Sequence, residues 1–311
     1  MDVNEQPTPR PLERPPNADL LLLVLAVVGV STSAPIIRQA ALPSFAVAFW
    51  RNALSTGVLG GALFATRRGR SAFATTPRAA RRSSLTSGLL LGAHFAVWIP
   101  SLSFTSVASS TALVATQPIW SALLARWRGE HIPTRAWWGI GLAFSGVVLL
   151  TGFDIQLSAR AVFGDVLALA GGMLAAGYVT VGADARRAVS SGVHTVICFA
   201  GAAAFLLGAA AVTRQPLVGY TRRSWVLLLA LTVFAQLGGH ALFNRILRTT
   251  SPTIVSVSIL GEIVGATAIA WLWFAERPPV AIVPAGLLIG AGALTVIAAG
   301  VRSTDGADRA T

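Results

Sequence analysis

Leu91-Gly92-Ala93-His94 recurs in the 311-residue chain as Leu237-Gly238-Gly239-His240, at an offset of 146 residues. The same offset superimposes further residues of uncommon type: Asp19 on Asp165, Trp127 on Trp273, Glu130 on Glu276, Pro133 on Pro279 and Gly146 on Gly292. In an apolar chain, His, Trp, Glu and Pro coincide by chance far less often than Leu or Ala. The sequence therefore predicts an internal duplication in which each copy spans about half of the chain.

The composition is that of a membrane protein. Hydrophobic residues make up 54% of the chain and charged residues 12%, whereas soluble domains carry roughly 25% charged residues. Mean hydropathy is +0.68, so a soluble fold of this length would have too few charges to cover its surface. Cys198 is the single cysteine, which excludes an intrachain disulfide and a Cys-based metal site.

Ten apolar segments are long enough to be candidate membrane spans, since a hydrocarbon layer ~30 Å thick needs about 20 helical residues. They are residues 20–37, 44–66, 84–104, 109–125, 136–153, 161–181, 194–212, 224–243, 253–274 and 280–301. The sequence thus predicts a disordered polar tail at 1–18, a first five-helix unit at 19–153, a second unit at 161–301 and a tail at 302–311.

The distribution of Arg predicts how the chain is oriented in the membrane. All 24 basic residues are Arg and the net charge is +12. If the N-terminus is cytoplasmic, 17 Arg lie in cytoplasmic segments and 6 in external ones, with Arg51 inside the second span. An excess of Arg on one side marks that side as cytoplasmic, so both termini are predicted inside. Arg clusters between apolar spans are topology signals and do not form a nucleic-acid groove, so no nucleic-acid partner is expected.

An odd number of spans per repeat has a geometric consequence. Because each unit has five spans, the second unit must cross the membrane in the opposite sense to the first. Inverted repeats of this kind build alternating-access transporters, whose substrate binds near the midplane between the repeats. The predicted fold is therefore an all-α integral membrane protein, with ten transmembrane helices arranged as two inverted five-helix repeats. A duplicated membrane scaffold without transport activity is the alternative.

Several motifs together resemble one family. They are Trp50-Arg51, Gln117-Pro118-Ile119-Trp120, Gly129-Glu130, Trp138-Gly139-Ile140-Gly141 and Gly146. This pattern resembles the EamA-type units of the drug/metabolite transporter superfamily, in which two five-helix units form a ten-helix carrier. The resemblance covers roughly residues 19–301. Glu262 stands where such sequences often have Glu before Pro, but Ile263 follows it here, which weakens the expectation of a Pro break in the ninth span.

Ionisable residues inside a span cost about 2.5–3.5 kcal/mol on insertion scales and are candidates for function. Glu262 lies near the middle of the ninth span and is predicted to line the cavity, where it meets a substrate ammonium group or carries a coupling proton. His94 and Trp98 are four residues apart, so they share one face of the third span. An imidazole beside an indole suits an aromatic or cationic solute. A structural contact with a neighbouring helix is the alternative for Glu262 and His94, and a lipid-facing position is the alternative for Trp98.

Four more residues complete the predicted substrate site: Gln117, Tyr178, His240 and Asn244. His240 and Asn244 repeat the spacing of His94 and Trp98, and Asn244 has helix capping as its alternative. Gln117 precedes a proline that frees a backbone carbonyl, and a hydrogen bond between helices is its alternative. For Tyr178 the alternative is a position in the interfacial aromatic belt. Arg51 is expected to pair with a polar neighbour or backbone carbonyls, and Glu130 and Glu276 to order loops at helix ends.

No cofactor and no metal are expected. A chain without Lys cannot form the phosphate-binding loop of an ATPase. The four His residues lack metal-ligand spacing, and no elbow motif frames a nucleophilic Ser. The protein is therefore predicted not to be an enzyme.

The sequence predicts a secondary transporter that exports small amphipathic metabolites by alternating access. Aromatic amino acids are the first expectation, since the chain also resembles the bacterial aromatic amino-acid and paraquat exporters of the superfamily. That resemblance implies a bacterial inner membrane. A carrier of nucleotide-sugars, sugar-phosphates or cationic drugs is the alternative within transport, and a membrane-embedded enzyme or lipid-binding scaffold is the alternative outside it. The expected partners are a small solute and membrane lipid, and a monomer is the expected state.

Overall fold

A computed structural model describes residues 16–105, 110, 113–151, 158–274 and 281–307. Within these ranges the regular elements are helices and no strand occurs, as the predicted all-α class requires. The helices of the first half are α1 (Asn17–Ser31), α2 (Ser33–Ala40), α3 (Ser44–Ala65), α4 (Arg67–Ala74), α5 (Arg78–Ser101), α6 (Gln117–Trp127) and α7 (Thr134–Thr151). Those of the second half are α8 (Ala159–Ala188), α9 (Ser191–Val212), α10 (Arg222–Leu231), the π-helix π1 (Thr232–His240), α11 (Ala241–Ile246), α12 (Pro252–Ile259), α13 (Gly261–Phe274) and α14 (Ile282–Ala307).

Five helical stretches are long and apolar enough to cross a membrane by length and composition. They are Asn17–Ala40, Ala159–Ala188, Ser191–Val212, Arg222–Ile246 and Pro252–Trp273. A shorter apolar helix covers Val283–Ala299. Membrane-spanning helices therefore account for much of the described chain.

The helix ends differ slightly from the predicted unit boundaries. α1 begins at Asn17, inside the segment predicted as a tail, and α14 continues to Ala307, beyond the predicted end of the last span at 301. Most of the first tail, the last four residues and the loop that contains Glu276 lie outside the described residues.

Three of the crossing stretches are interrupted where they approach the centre of the bundle. Thr32 separates α1 from α2, and Leu260 separates α12 from α13. Between α10 and α11 the chain is π-helical over nine residues. The break at Leu260 occurs one turn before Ile263 and needs no proline, because shorter-range bonds such as Leu260 N–H to Val257 O continue the helix there.

α7 and α14, which the offset of 146 makes equivalent, pack tightly and antiparallel. A Cβ atom added to Gly139 would lie 2.8 Å from Gly292 O, and one added to Gly146 would lie 2.7 Å from Ala285 O. As residue numbers rise along α7, those of its contacts fall along α14. The offset of 146 maps Gly139 onto Ala285 and Gly146 onto Gly292. It therefore converts the contact between Gly139 and Gly292 into the contact between Ala285 and Gly146. The pair thus has the self-complementarity of a two-fold contact.

Other contacts between the two halves of the chain are also related in pairs by the offset of 146 residues. α5 packs on α8, and its counterpart in the second half, π1 with α11, packs on α1. α6 packs on α8, while α13 packs on α1. Asp165 near the start of α8 accepts a hydrogen bond from Thr105 (2.7 Å), and the equivalent Asp19 in α1 accepts one from Thr249. The centre of the bundle, between α1, α5, α8 and α13, is where the interrupted helices converge.

Candidate functional site

A cavity at the centre of the bundle brings together most of the residues that the sequence predicts for a substrate site. It contains about 520 Å³ of space not filled by atoms, part of which is open to solvent. Six of the seven predicted residues line it: His94, Trp98, Gln117, Tyr178, His240 and Glu262. Helices of both halves therefore contribute to one site, although whether these residues bind a substrate stays a prediction.

His94 and Trp98 form one wall of the cavity, as their spacing on α5 predicts. Their rings are stacked, with centroids 5.6 Å apart and planes inclined by 11°. His94 Nδ1 lies 2.9 Å from the carbonyl oxygen of Gly171. A carbonyl can only accept, so Nδ1 carries the proton and Nε2 is left as an acceptor. Trp98 Nε1–H donates to no described residue, so the stacked pair offers one acceptor and one donor.

His240 meets His94 across a shared aromatic ring. The Phe95 ring lies 5.0 Å from His94 and 5.4 Å from His240, with the second contact edge-to-face at 80°. His240 Nδ1 is buried and has no hydrogen-bond partner among the described residues. The two histidines of the internal repeat thus meet at the centre of the bundle. π1 ends at His240, and π-helical turns occur often at functional sites.

Gln117 lies where α6 meets α12. Its Nε2 donates to Ser256 Oγ (3.0 Å), and Ser121 Oγ lies 2.8 Å from the same oxygen. A second cavity, with about 380 Å³ of space that is not filled by atoms and is partly open to solvent, is lined by Ser256 and shares Trp98, Gln117 and Glu262 with the first. Gln117 therefore lines both cavities while also joining two helices, so both of its predicted roles remain compatible with the structure.

Glu262 lies in the first turn of α13, directly after the break at Leu260. Its carboxylate lines both cavities and forms no hydrogen bond or ion pair with a described residue. Arg51 is the cation that interacts with it electrostatically, without contact. A carboxylate that faces a cavity without a protein partner is available to a cation in that cavity.

Asn244 does not line the cavity, unlike the other six. It is fully buried, and its Oδ1 accepts a hydrogen bond from the Tyr178 hydroxyl (2.6 Å). Its backbone carbonyl accepts a bond from Arg186 Nε (2.9 Å). Both bonds go to α8, so Asn244 joins α11 to α8, although His240, four residues before it, lines the cavity. Asn244 therefore holds the Tyr178 hydroxyl by a hydrogen bond without lining the cavity itself.

Replacing Tyr178 with Phe is expected to destabilise the protein by about 1–2 kcal/mol, because a buried hydrogen bond is lost and Asn244 Oδ1 is left unsatisfied. Thermal unfolding of the purified protein in detergent measures the effect. Tyr220 is the only other tyrosine, and its hydroxyl bonds to Pro216 O in an exposed loop. Tyr220→Phe should therefore leave the unfolding temperature nearly unchanged, and equal losses in both variants would contradict the role given to Asn244.

Arg51 forms hydrogen bonds with polar neighbours, as expected, but the sequence does not indicate which residues these neighbours are. Its Nε donates to Gln236 Oε1 (2.7 Å) and its Nη1 to Ser33 Oγ (3.1 Å). Gln236 Nε2 in turn donates to Asn52 Oδ1 (2.8 Å). Gln236 is 185 residues away along the chain, and Ser33 lies in an apolar span like many others, so no local pattern identifies either as a partner.

A second cluster lies at the end of the bundle where α6 and α8 finish. Arg128 and Asp184 form an ion pair with Nη2 and Oδ2 2.6 Å apart. Glu130 is nearby, and burial raises the pKa of its carboxyl, an effect that Arg128 and Arg187 partly offset and Asp184 increases. Glu130 thus lies in a loop between helices, as expected. In the described ranges, no group of three His, Cys, Asp or Glu residues is arranged to hold a metal ion.

Comparisons with known proteins bear on the whole chain. The sequence profile of the EamA-like transporter family matches residues 18–152 and 162–298, one match for each half. Among solved structures, 29 chains are similar. One crystal structure has a TM-score of 0.73 at 20% identity, covering 89% of this chain and 96% of that chain. No curated protein matches significantly.

The two profile matches follow the duplication seen in the sequence, and the crystal structure supports the same fold. The EamA-like family is one of membrane transporters of small solutes within the drug/metabolite transporter superfamily. A transporter, unlike an enzyme, needs no catalytic residues in its central cavity. The chain belongs to the EamA-like transporter family.

Proposed function

We propose that the protein is a secondary transporter that exports small amphipathic metabolites, with aromatic amino acids as the first candidates. The observation that carries the proposal is the central cavity, which is lined both by a stacked His94–Trp98 pair and by Glu262, a carboxylate without a hydrogen-bond or ion-pair partner among the described residues. Stacked flat rings favour an aromatic solute, and a carboxylate in an apolar cavity favours a cationic group on it. An amphipathic solute with an aromatic ring and an ammonium group suits both.

The mechanism we propose is alternating access by two inverted five-helix repeats with ten membrane crossings. The antiparallel contact between the equivalent helices α7 and α14 supports the inversion. In this proposal α3, α5, α7, α14 and the apolar segment that contains α6 supply the crossings beyond the five stretches recognised by length and composition. The cavity lies between the repeats, as a site that is exposed alternately to the two sides requires.

Contacts at the two ends of the bundle support such alternation. Asp19 with Thr249 and Arg128 with Asp184 join helices at one end, and Thr105 with Asp165 at the other. Asp165 and Asp184 are both in α8, 19 residues and therefore about 28 Å apart. Both sets of contacts are formed in this structure, and in the proposed mechanism one set breaks when the cavity opens to that side. In this proposal the Arg128 end and both termini lie in the cytoplasm, as the excess of Arg in those segments predicts, and the membrane is the bacterial inner membrane.

The test is counterflow of labelled tryptophan into liposomes that contain the purified protein. Replacing His94 or Trp98 with Ala is expected to lower the rate at least tenfold, since each change removes half of the stacked wall. Trp138→Ala is the matched control, because Trp138 is 75% exposed on the bundle surface. An equal rate in all three variants would contradict the proposed site.

The alternative functions predict different results in the same liposomes. A carrier of sugar-phosphates or nucleotide-sugars needs cations in its cavity, but the described residues that line this one include no Arg. Arg51 lies behind the wall. A lipid-modifying enzyme would turn over a lipid substrate without flux of any solute, and a scaffold would do neither.

A further inference from the structure

Arg51 is a buried cation without an ion-pair partner among the described residues. It is fully buried, and its Nη2 atom has no hydrogen-bond partner in the part of the chain that the structure describes. Its Cζ lies 4.5 Å from the centroid of the Phe95 ring. Charges inside a membrane protein are rare and usually pair with each other or with substrate. The carboxylate of Glu262 interacts electrostatically with Arg51, yet no ion pair joins the two residues.

The guanidinium is held in one position by neutral groups. Gln236 Oε1 accepts from Nε, and Gln236 is itself fixed by its bond to Asn52. Asn52 Nδ2 donates to the carbonyl of Ala48. These amides orient the charge without neutralising it, so its field extends to the cavity. His94, His240 and Glu262, which line the cavity, all interact electrostatically with Arg51.

Ser33 connects Arg51 to the cavity. Its Oγ accepts from Arg51 Nη1 (3.1 Å), while the residue also lines the cavity wall. The serine hydroxyl forms no donor bond to a described residue, so its proton is available to an acceptor in the cavity. A hydroxyl that accepts from a cation becomes a stronger donor, because hydrogen bonds in a chain polarise one another.

We infer that Ser33, with Arg51 behind it, forms a subsite for the carboxylate of a zwitterionic substrate. Ser33 donates to the carboxylate and Arg51 acts through Ser33 as a positioning cation. Glu262, across the same cavity, then faces the ammonium group of that substrate. This inference rests on the proposed function and narrows it, since amines without a carboxylate and acids without an ammonium group would each lose one of the two contacts.

Three probes with the same indole ring separate the two contacts: tryptophan, tryptamine and indole-3-propionate. Their counterflow into liposomes of phosphatidylethanolamine and phosphatidylglycerol gives a tryptophan-to-tryptamine ratio for each variant. The wild type is expected to favour tryptophan by about tenfold or more, as a hydrogen bond to a charged group implies. Ser33→Ala should bring this ratio close to one and leave tryptamine flux unchanged.

Three further variants, at Gln236 and Arg51, separate charge from structure. Gln236→Glu has nearly the same shape as the wild type but gives Arg51 a protein counter-ion, so it should also lower the ratio. Arg51→Lys keeps the positive charge and should retain more of the ratio than Arg51→Gln. Ser31→Ala is the matched control, because Ser31 Oγ bonds only to Val27 O on its own helix. Its ratio should equal that of the wild type.

Two results would overturn the inference in different ways. If Ser33→Ala and Gln236→Glu remain folded and keep the wild-type ratio, the carboxylate subsite is wrong while the transport function stands. If the wild type moves none of the three probes, the proposed function fails and the subsite fails with it. A retained thermal unfolding transition in each variant shows that a changed ratio is not the result of misfolding.

Discussion

Replacing Glu262 with Gln is expected to lower tryptophan counterflow by about 30-fold or more. Removing one partner of a buried, hydrogen-bonded charge pair costs about 2–5 kcal/mol, and tenfold in binding corresponds to about 1.4 kcal/mol. The proposed partner here is the substrate ammonium group. Since no described residue bonds the carboxylate, the substitution breaks no contact of the protein itself, and the loss should appear in transport while the unfolding temperature changes little.

The effect of Glu262→Gln should depend on the charge of the probe. Indole-3-propionate has no ammonium group, so its flux should not fall in the variant. Glu130→Gln is the matched control, since Glu130 lies in a loop at the end of the bundle and outside the cavity. Tryptophan flux at the wild-type rate in Glu262→Gln would show that this carboxylate does not bind the substrate.

The position of the cavity was predictable because polar residues are rare in this chain. The spacing of four residues puts His94 and Trp98 on one face of a helix, and the internal repeat makes His240 the equivalent of His94. Each of the two histidines also costs free energy in a bilayer, so few structural reasons exist for placing them mid-span. The structure brings them together around Phe95.

The remaining wall of the cavity could not be read from the sequence. In soluble proteins an apolar stripe marks the buried face of a helix, but a membrane helix is apolar on its lipid face as well. Phe95 and Phe243 line the cavity, while Phe163 and Phe205 are exposed at the surface. Nothing in the residue type distinguishes the two pairs. Asn244 follows His240 by four residues, yet it is not among the residues that line the cavity and bonds to Tyr178 instead, a partner 66 residues away that no local pattern identifies.

Replacing Gly88 with Ala is expected to prevent α5 and α9 from packing and to lower the unfolding temperature more than any single change in the cavity. A Cβ atom at this position would lie 2.1 Å from the carbonyl oxygen of Cys198, and 2.8 Å from its carbonyl carbon. Both obstacles are backbone, so no side-chain rotation relieves them and the helices must separate. Overpacking of this kind costs about 1–3 kcal/mol, and more when backbone must move.

The separation would also break the polar contacts that neighbour Gly88 on α5. Ser84 Oγ lies 3.1 Å from His194 Nδ1, and Ser87 Oγ lies 3.8 Å from Cys198 Sγ. Gly208→Ala, on α9, is the control, because an added Cβ meets no atom within 4 Å there. Alanine favours a helix by about 1 kcal/mol over glycine, so this variant should unfold at the wild-type temperature or slightly above it. Thermal unfolding and the yield of monodisperse protein in detergent distinguish the two variants. If Gly88→Ala and Gly208→Ala are equally stable, α5 and α9 do not approach each other as closely as this packing requires.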